Sequence, residues 1–269
     1  MTVRPRAPPA SLAGRESLKT PWDFYKSVFR TYRPDKPALL DECFEIDWKY
    51  TKCDRIVKND LEEVKAYLKS VWPHVREAYK YYAGLSPLGR VMGMGPTTLG
   101  ELLSHCSDFI DGNTIRGSDI DLQFIACNGG KKVQSYLSPD KGLVRFQMLE
   151  VLVRLAVDKY IKTGVTKSYL EAVKSAFENH YLTYFQNFQS HRFRKDRLWR
   201  QEIDVLYTRL EPALRAIFHR YSGKYIAPGQ LVRTTSLDEV IEMMTGAELV
   251  DDRFGQREIG PCFNSSMMT

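Results

Sequence analysis

Apolar residues recur at three- and four-residue intervals through most of this chain, and that period predicts helices. Between residues 60 and 83, Leu61, Val64, Leu68, Val71, Trp72, Val75, Ala78, Tyr79 and Tyr82 mark one face of an amphipathic helix, which tolerates Pro73 only with a kink or a break. Upstream, Trp22, Phe24, Tyr25, Val28, Phe29 and Tyr32 predict a short first helix ended by the Arg33-Pro34 pair. The strongest pattern lies at residues 143–161, where nearly every position is apolar except a stripe of Glu150, Arg154, Asp158 and Lys162 that alternates charge at i,i+4 and is expected to face solvent. Residues 199–221 repeat the helical spacing with Leu206, Leu210, Leu214, Ile217, Phe218 and Tyr221, and Phe254, Ile259 and Phe263 carry it to the last segment.

Turn and cap residues divide this text. Residues 99–109 read as a helix, 110–117 as a loop, and Ser118 as the N-cap of a second helix, a helix-loop-helix of EF-hand length. Lys162-Thr163-Gly164 closes the long apolar helix, and Thr166 or Ser168 caps the next, giving a second such unit. Ser236, three residues before Glu239, has capping-box spacing. The fold class expected is all-α: an extended basic arm over residues 1–20, a helical lead-in over 21–95, one EF-hand-like lobe over 96–190 and a second, incomplete lobe over 191–269.

Composition narrows the chemistry. A chain of 269 residues with 43% hydrophobic content can bury its core without staples. Its five cysteines, Cys43, Cys53, Cys106, Cys127 and Cys262, include no C-x-x-C pair, which argues for reduced thiols in a cytosolic compartment. The Arg- and Pro-rich start lacks the apolar stretch of a signal peptide and no window approaches a membrane span, so neither export nor membrane insertion is expected. A net charge of +6 favours acidic partners, whether nucleic acid, an anionic membrane surface or a cytoskeletal polymer.

The run Ser118-Asp119-Ile120-Asp121-Leu122-Gln123-Phe124-Ile125-Ala126 is followed by Arg145-Phe146-Gln147-Met148-Leu149-Glu150-Val151-Leu152-Val153-Arg154-Leu155-Ala156 and by Lys159-Tyr160. Together these resemble a family of EF-hand-like proteins of protist cilia and flagella. Residues 72–83, residues 199–221 and the closing Phe263-Asn264-Ser265-Ser266-Met267-Met268 are similar to the same family, so the resemblance spans residue 44 to the end. It implies a structural role on axonemal microtubules, with tubulin and other axonemal proteins as partners, and it implies further helix after the Ser-Met-Met segment to complete a second pair of units.

An EF-hand loop needs oxygen ligands at positions 1, 3, 5 and 9, Gly at 6 and a bidentate Glu at 12. Counting from Asp111 places Asn113 and Asp119 well, but Ile115 and Arg116 occupy positions 5 and 6 and Leu122 takes the place of the Glu. Counting from Asn113 ends on Phe124. Asp111, Asn113, Asp119 and Asp121 are therefore the only calcium candidates; they are better read as helix caps, and no metal or other cofactor is expected. The glycines at 89, 93, 95 and 100 lack the Gly-Lys-Ser/Thr ending of a phosphate cradle, and His105 beside Cys106 cannot face it on a helix, so no catalytic residue, enzyme activity or small-molecule substrate is expected.

The densest charge is the connector His191-Arg192-Phe193-Arg194-Lys195-Asp196-Arg197-Leu198-Trp199-Arg200, where cations alternate with aromatics. Arg192, Arg194, Lys195, Arg197 and Arg200, with Arg4 and Arg6 of the arm, are the partner-binding candidates, suited to an acidic tubulin surface. Two alternatives stand beside the axonemal scaffold: a calcium-responsive EF-hand adaptor, and a nucleic-acid-binding protein using residues 191–200, for which no base-reading module is present.

Overall fold

Fixed φ suits proline to the first turn of a helix, and the first α-helix among the described residues begins at such a residue. The computed structural model describes residues 21–32, 35–85, 93–129, 141–224 and 234–267. Helix α1 runs Pro37–Tyr50, α2 Cys53–Ile56 and α3 Leu61–Leu85, the last continuing through Pro73. Then come α4 (Pro96–Ser104), α5 (Gly117–Asn128), α6 (Arg145–Tyr160) and α7 (Tyr169–Ala176), which passes through a π-turn at Phe177–Tyr181 into α8 (Leu182–Phe185). Helix α9 (Ser190–Phe193) leads through a second π-turn, Arg194–Leu198, to α10 (Gln201–Tyr221), α11 (Leu237–Gly246) and α12 (Gln256–Met267). No strand occurs among the described residues, and the protein is all-α.

One apolar cluster extends from Phe44 to Phe185 and takes side chains from α1 to α8, with Trp72, Tyr82, Phe109, Phe177 and Tyr181 as its largest members. Helix α6 is its axis: eleven of its sixteen residues are buried. Here the structure corrects the solvent-facing stripe. Glu150 is only 1% exposed and accepts bonds from the Lys52 backbone N–H at 3.0 Å and from Arg154 Nε at 2.9 Å. Asp158 accepts from Gln123 of α5. Charges alternating at i,i+4 thus tie α6 to its neighbours. Gly164, at φ +77°, closes the helix in the left-handed region that other residues avoid.

Asp47 of α1 is another buried charge. Its carboxylate accepts from the Trp72 indole at 2.9 Å and from Arg145 Nε and Nη2 at 2.6 and 3.1 Å, while the guanidinium lies 5.0 Å from the centre of the Trp72 ring. Three helices meet at this one carboxylate. Met94 and Leu143, each just before the helix that follows it, exchange both backbone hydrogen bonds in an isolated antiparallel bridge, at 2.9 and 2.8 Å.

The aromatic segment at residues 22–32 is not the helix that its spacing predicts. It holds one 3-10 turn, Phe24–Lys26, and further turns, because its side chains reach outward to α10 and the connector. The predicted N-cap of α5 also shifts: Arg116 occupies that position, with its backbone N–H bonded to Asp119 at 2.8 Å. Ser168 and Ser236 cap α7 and α11 as their spacing predicts. Helix α12 packs along α3, and α11 joins it to α10. The long α10 itself has no buried residue, and Leu206, Leu210, Leu214, Ile217 and Phe218 are all about 40% exposed.

Candidate binding surface

The connector is short because two helical turns are broken in quick succession. Helix α9 starts after the non-helical Gln189 (ψ 72°) and ends at the π-turn, and Trp199 (ψ 70°) then leaves helical geometry before α10 begins. Trp199 is held from three sides, with ring centres 5.0 Å from Phe24, 4.7 Å from Tyr32 and 5.2 Å from His191. This aromatic knot pins the cations on either side of it.

Of the predicted partner-binding residues, Arg192, Lys195, Arg197 and Arg200 are exposed and brought together on the connector. Arg192 makes a loose 3.4 Å pair with Asp196, 73% and 54% of the two side chains being open to solvent. Arg194 differs: it is half-buried, lies 5.4 Å over the Tyr32 ring and reaches Ser190 Oγ at 3.5 Å. Arg4 and Arg6 lie outside the described residues.

A groove of about 420 Å³ opens beside these cations, with Glu77, Lys80 and Tyr81 of α3 on one wall and Phe188, Ser190, Phe193 and Arg194 on the other. Tyr81 and Phe188 pack at 4.9 Å, and Phe193 stands 58% exposed at the mouth. Glu77 accepts from Ser190 Oγ at 2.6 Å and from Arg76. Burial raises its pKa, but these bonds and the neighbouring cations outweigh burial and hold the carboxyl below its ordinary value. Burial and the nearby Arg76 and Arg194 lower the pKa of Lys80, against the pull of Glu77. The α3 wall is the part that sequence reasoning misses. Tyr81 sits one residue from the core-facing Tyr82, and only the packing of the connector against α3 gives it a role.

The calcium candidates do not form a cation cage. Asp111 accepts backbone N–H bonds from Asn113, Thr114 and Ile115 at 2.9, 2.7 and 3.1 Å, and its other oxygen accepts from Lys159 Nζ at 2.7 Å and from the Thr114 hydroxyl. Lys159 also donates to the Phe109 carbonyl and to Thr114 Oγ1, both at 3.1 Å. An ammonium from α6 thus sits among oxygens that a divalent ion would need. The Lys159 and Thr114 bonds hold the Asp111 carboxyl far below the usual carboxylate range. Asp119 caps α5, Asp121 is exposed, and this donor set does not fit a calcium ion. No group of three or more His, Cys, Asp or Glu in metal-binding proximity occurs among the described residues.

Cys106 is buried and its thiol is pushed up to about 12 by desolvation, while His105 stacks on Tyr184 at 5.1 Å. The His105 ring is engaged by the Glu101 carbonyl and the Tyr82 hydroxyl, not by the Cys106 thiol. No helix among the described residues is long and apolar enough to cross a membrane. Against known protein families, curated proteins and solved structures, the chain finds no match.

Proposed function

We propose that the protein is a non-catalytic structural component of the cytoskeleton of cilia or flagella, bound to axonemal microtubules through its basic connector. The observation that carries this reading is the cluster of Arg192, Lys195, Arg197 and Arg200, exposed together on a segment whose backbone is pinned by Trp199. Solvent-facing cations on a pinned backbone suit an acidic protein surface, because they donate charge-assisted hydrogen bonds to its carboxylates. The resemblance of residues 118–126 and 145–160 to EF-hand-like proteins of protist cilia and flagella gives the axoneme as the setting.

We read the core as EF-hand-like, with α4 paired with α5 and α6 with α7 as their spacing along the sequence suggests. The reciprocal Met94–Leu143 bonds join the segments that precede α4 and α6. In this reading α10 to α12 belong to a second lobe. Against a calcium-responsive adaptor stands Asp111, whose carboxylate is already engaged by Lys159. A fixed ammonium makes an architectural loop independent of calcium supply.

The test is microtubule co-sedimentation of the protein beside a variant with Arg192, Arg194, Lys195, Arg197 and Arg200 changed to Ser, circular dichroism confirming that both are folded. The wild type is expected in the pellet and the variant in the supernatant. A wild type that stays soluble at low salt overturns direct tubulin binding.

A further inference from the structure

We infer that the groove between α3 and the connector takes an apolar side chain of an acidic partner segment, with Phe193 closing over it and the connector cations holding the flanking carboxylates. This inference rests on the reading of the connector as a partner-binding surface, and it adds what that surface selects.

The groove walls are mainly apolar, made by the Tyr81 and Phe188 rings and by Phe193. An exposed Phe at the mouth of an apolar cleft loses water when a second apolar group enters, which is the usual source of a binding anchor. The rim has the opposite character. Lys80, Arg192, Arg194 and Arg197 line the two adjoining hollows, and among the described residues that line them the only acids are Glu77 and Asp196. Both are already engaged, Glu77 by Ser190, Arg76 and Lys80, and Asp196 by Arg192, which leaves Arg194 and Arg197 without an acidic partner among the lining residues. The surplus charge is positive, so a ligand that fills the cleft is matched by carboxylates on either side of its anchor.

A nucleic-acid strand offers anions and flat rings too, but it needs rings on which successive bases can stack. Here Tyr81 and Phe188 are turned onto each other and onto Tyr82, and Phe193, 58% exposed against 44% for Tyr81, projects furthest of the three rings lining the cleft. One concave cleft with one ring at its mouth suits a single anchor on a protein segment.

Two labelled heptapeptides test this, three Glu, a central Phe and three Glu against the same peptide with central Ala, with an oligo-dT strand as a third probe, all read by fluorescence polarisation. The Phe peptide is expected to bind the wild type about tenfold more tightly than the Ala peptide. Phe193→Ser, at an exposed position that leaves the core intact, is expected to remove that preference. Equal binding of both peptides by the wild type overturns the inference, as does oligo-dT binding more tightly than either. If the wild type pellets with microtubules but does not distinguish the peptides, the cleft fails and the contact reading stands. If it distinguishes them but does not pellet, the cleft stands and the tubulin reading fails.

Discussion

Asp204 of α10 holds the N-terminal end of the described chain, since one carboxylate oxygen accepts from the Trp22 indole N–H at 3.0 Å and the other from the Val28 backbone N–H at 2.8 Å. With Phe29 against Tyr207 at 5.9 Å, these bonds lay the N-terminal segment along α10. The contact is polar and only partly buried, so it orders the segment and adds little to global stability.

Asp204→Ala is therefore expected to free that segment without unfolding the protein. Trypsin should cut after Lys26 and Arg30 several-fold faster, while the urea midpoint shifts by no more than about 1 kcal/mol in stability terms. A large loss of global stability would contradict this assignment.

Removing Asp47 strands three donors in the interior. Asp47→Ala should cost about 3 kcal/mol in urea unfolding, since the Trp72 indole and the Arg145 guanidinium lose their shared acceptor. The double variant Asp47→Ala, Arg145→Met should recover part of that loss, because it removes the uncompensated charge.

Asp111 predicts a pH dependence. Its folded pKa is depressed, so the stability it contributes is fully present above its unfolded value of about 4 and is lost as pH falls through the lower folded value. The difference in urea midpoint between wild type and Asp111→Asn should be constant from about pH 5 to 7 and shrink below about pH 4. Lys159→Met should show the same acid-side convergence with the wild type.

Thiol labelling separates the cysteines. Cys262 is exposed, whereas Cys53, Cys106 and Cys127 are buried and desolvation raises all three thiols, Cys53 to about 12. A colourless aromatic disulfide reagent at pH 8 should modify Cys262 within minutes, and the three buried thiols only on addition of denaturant.

Much of the helical content was legible in the sequence, because the apolar period of α3, α6 and α10 is long and the Ser236–Glu239 box marks the start of α11. What periodicity does not report is which face meets what. Glu150 and Arg154 have the spacing of a solvated ion pair, yet they lie where α6 meets α2 and α5, and only the distant Lys52 and Cys127 explain why a carboxylate is buried there. The aromatics of residues 22–32 misled in the same way: their spacing comes from reaching Trp199 and Tyr207, contacts far away in sequence. The connector cations were plain from composition. The cleft beside them was not, since half of its wall comes from α3.

The packing of α12 on α3 sets a timetable for the protein's birth. At roughly 5–20 residues per second, about ten to thirty seconds of translation separate the two helices. During that interval the surface of α3 that α12 covers is open to solvent, and a ribosome stalled before Gln256 leaves behind a chain with that surface bare.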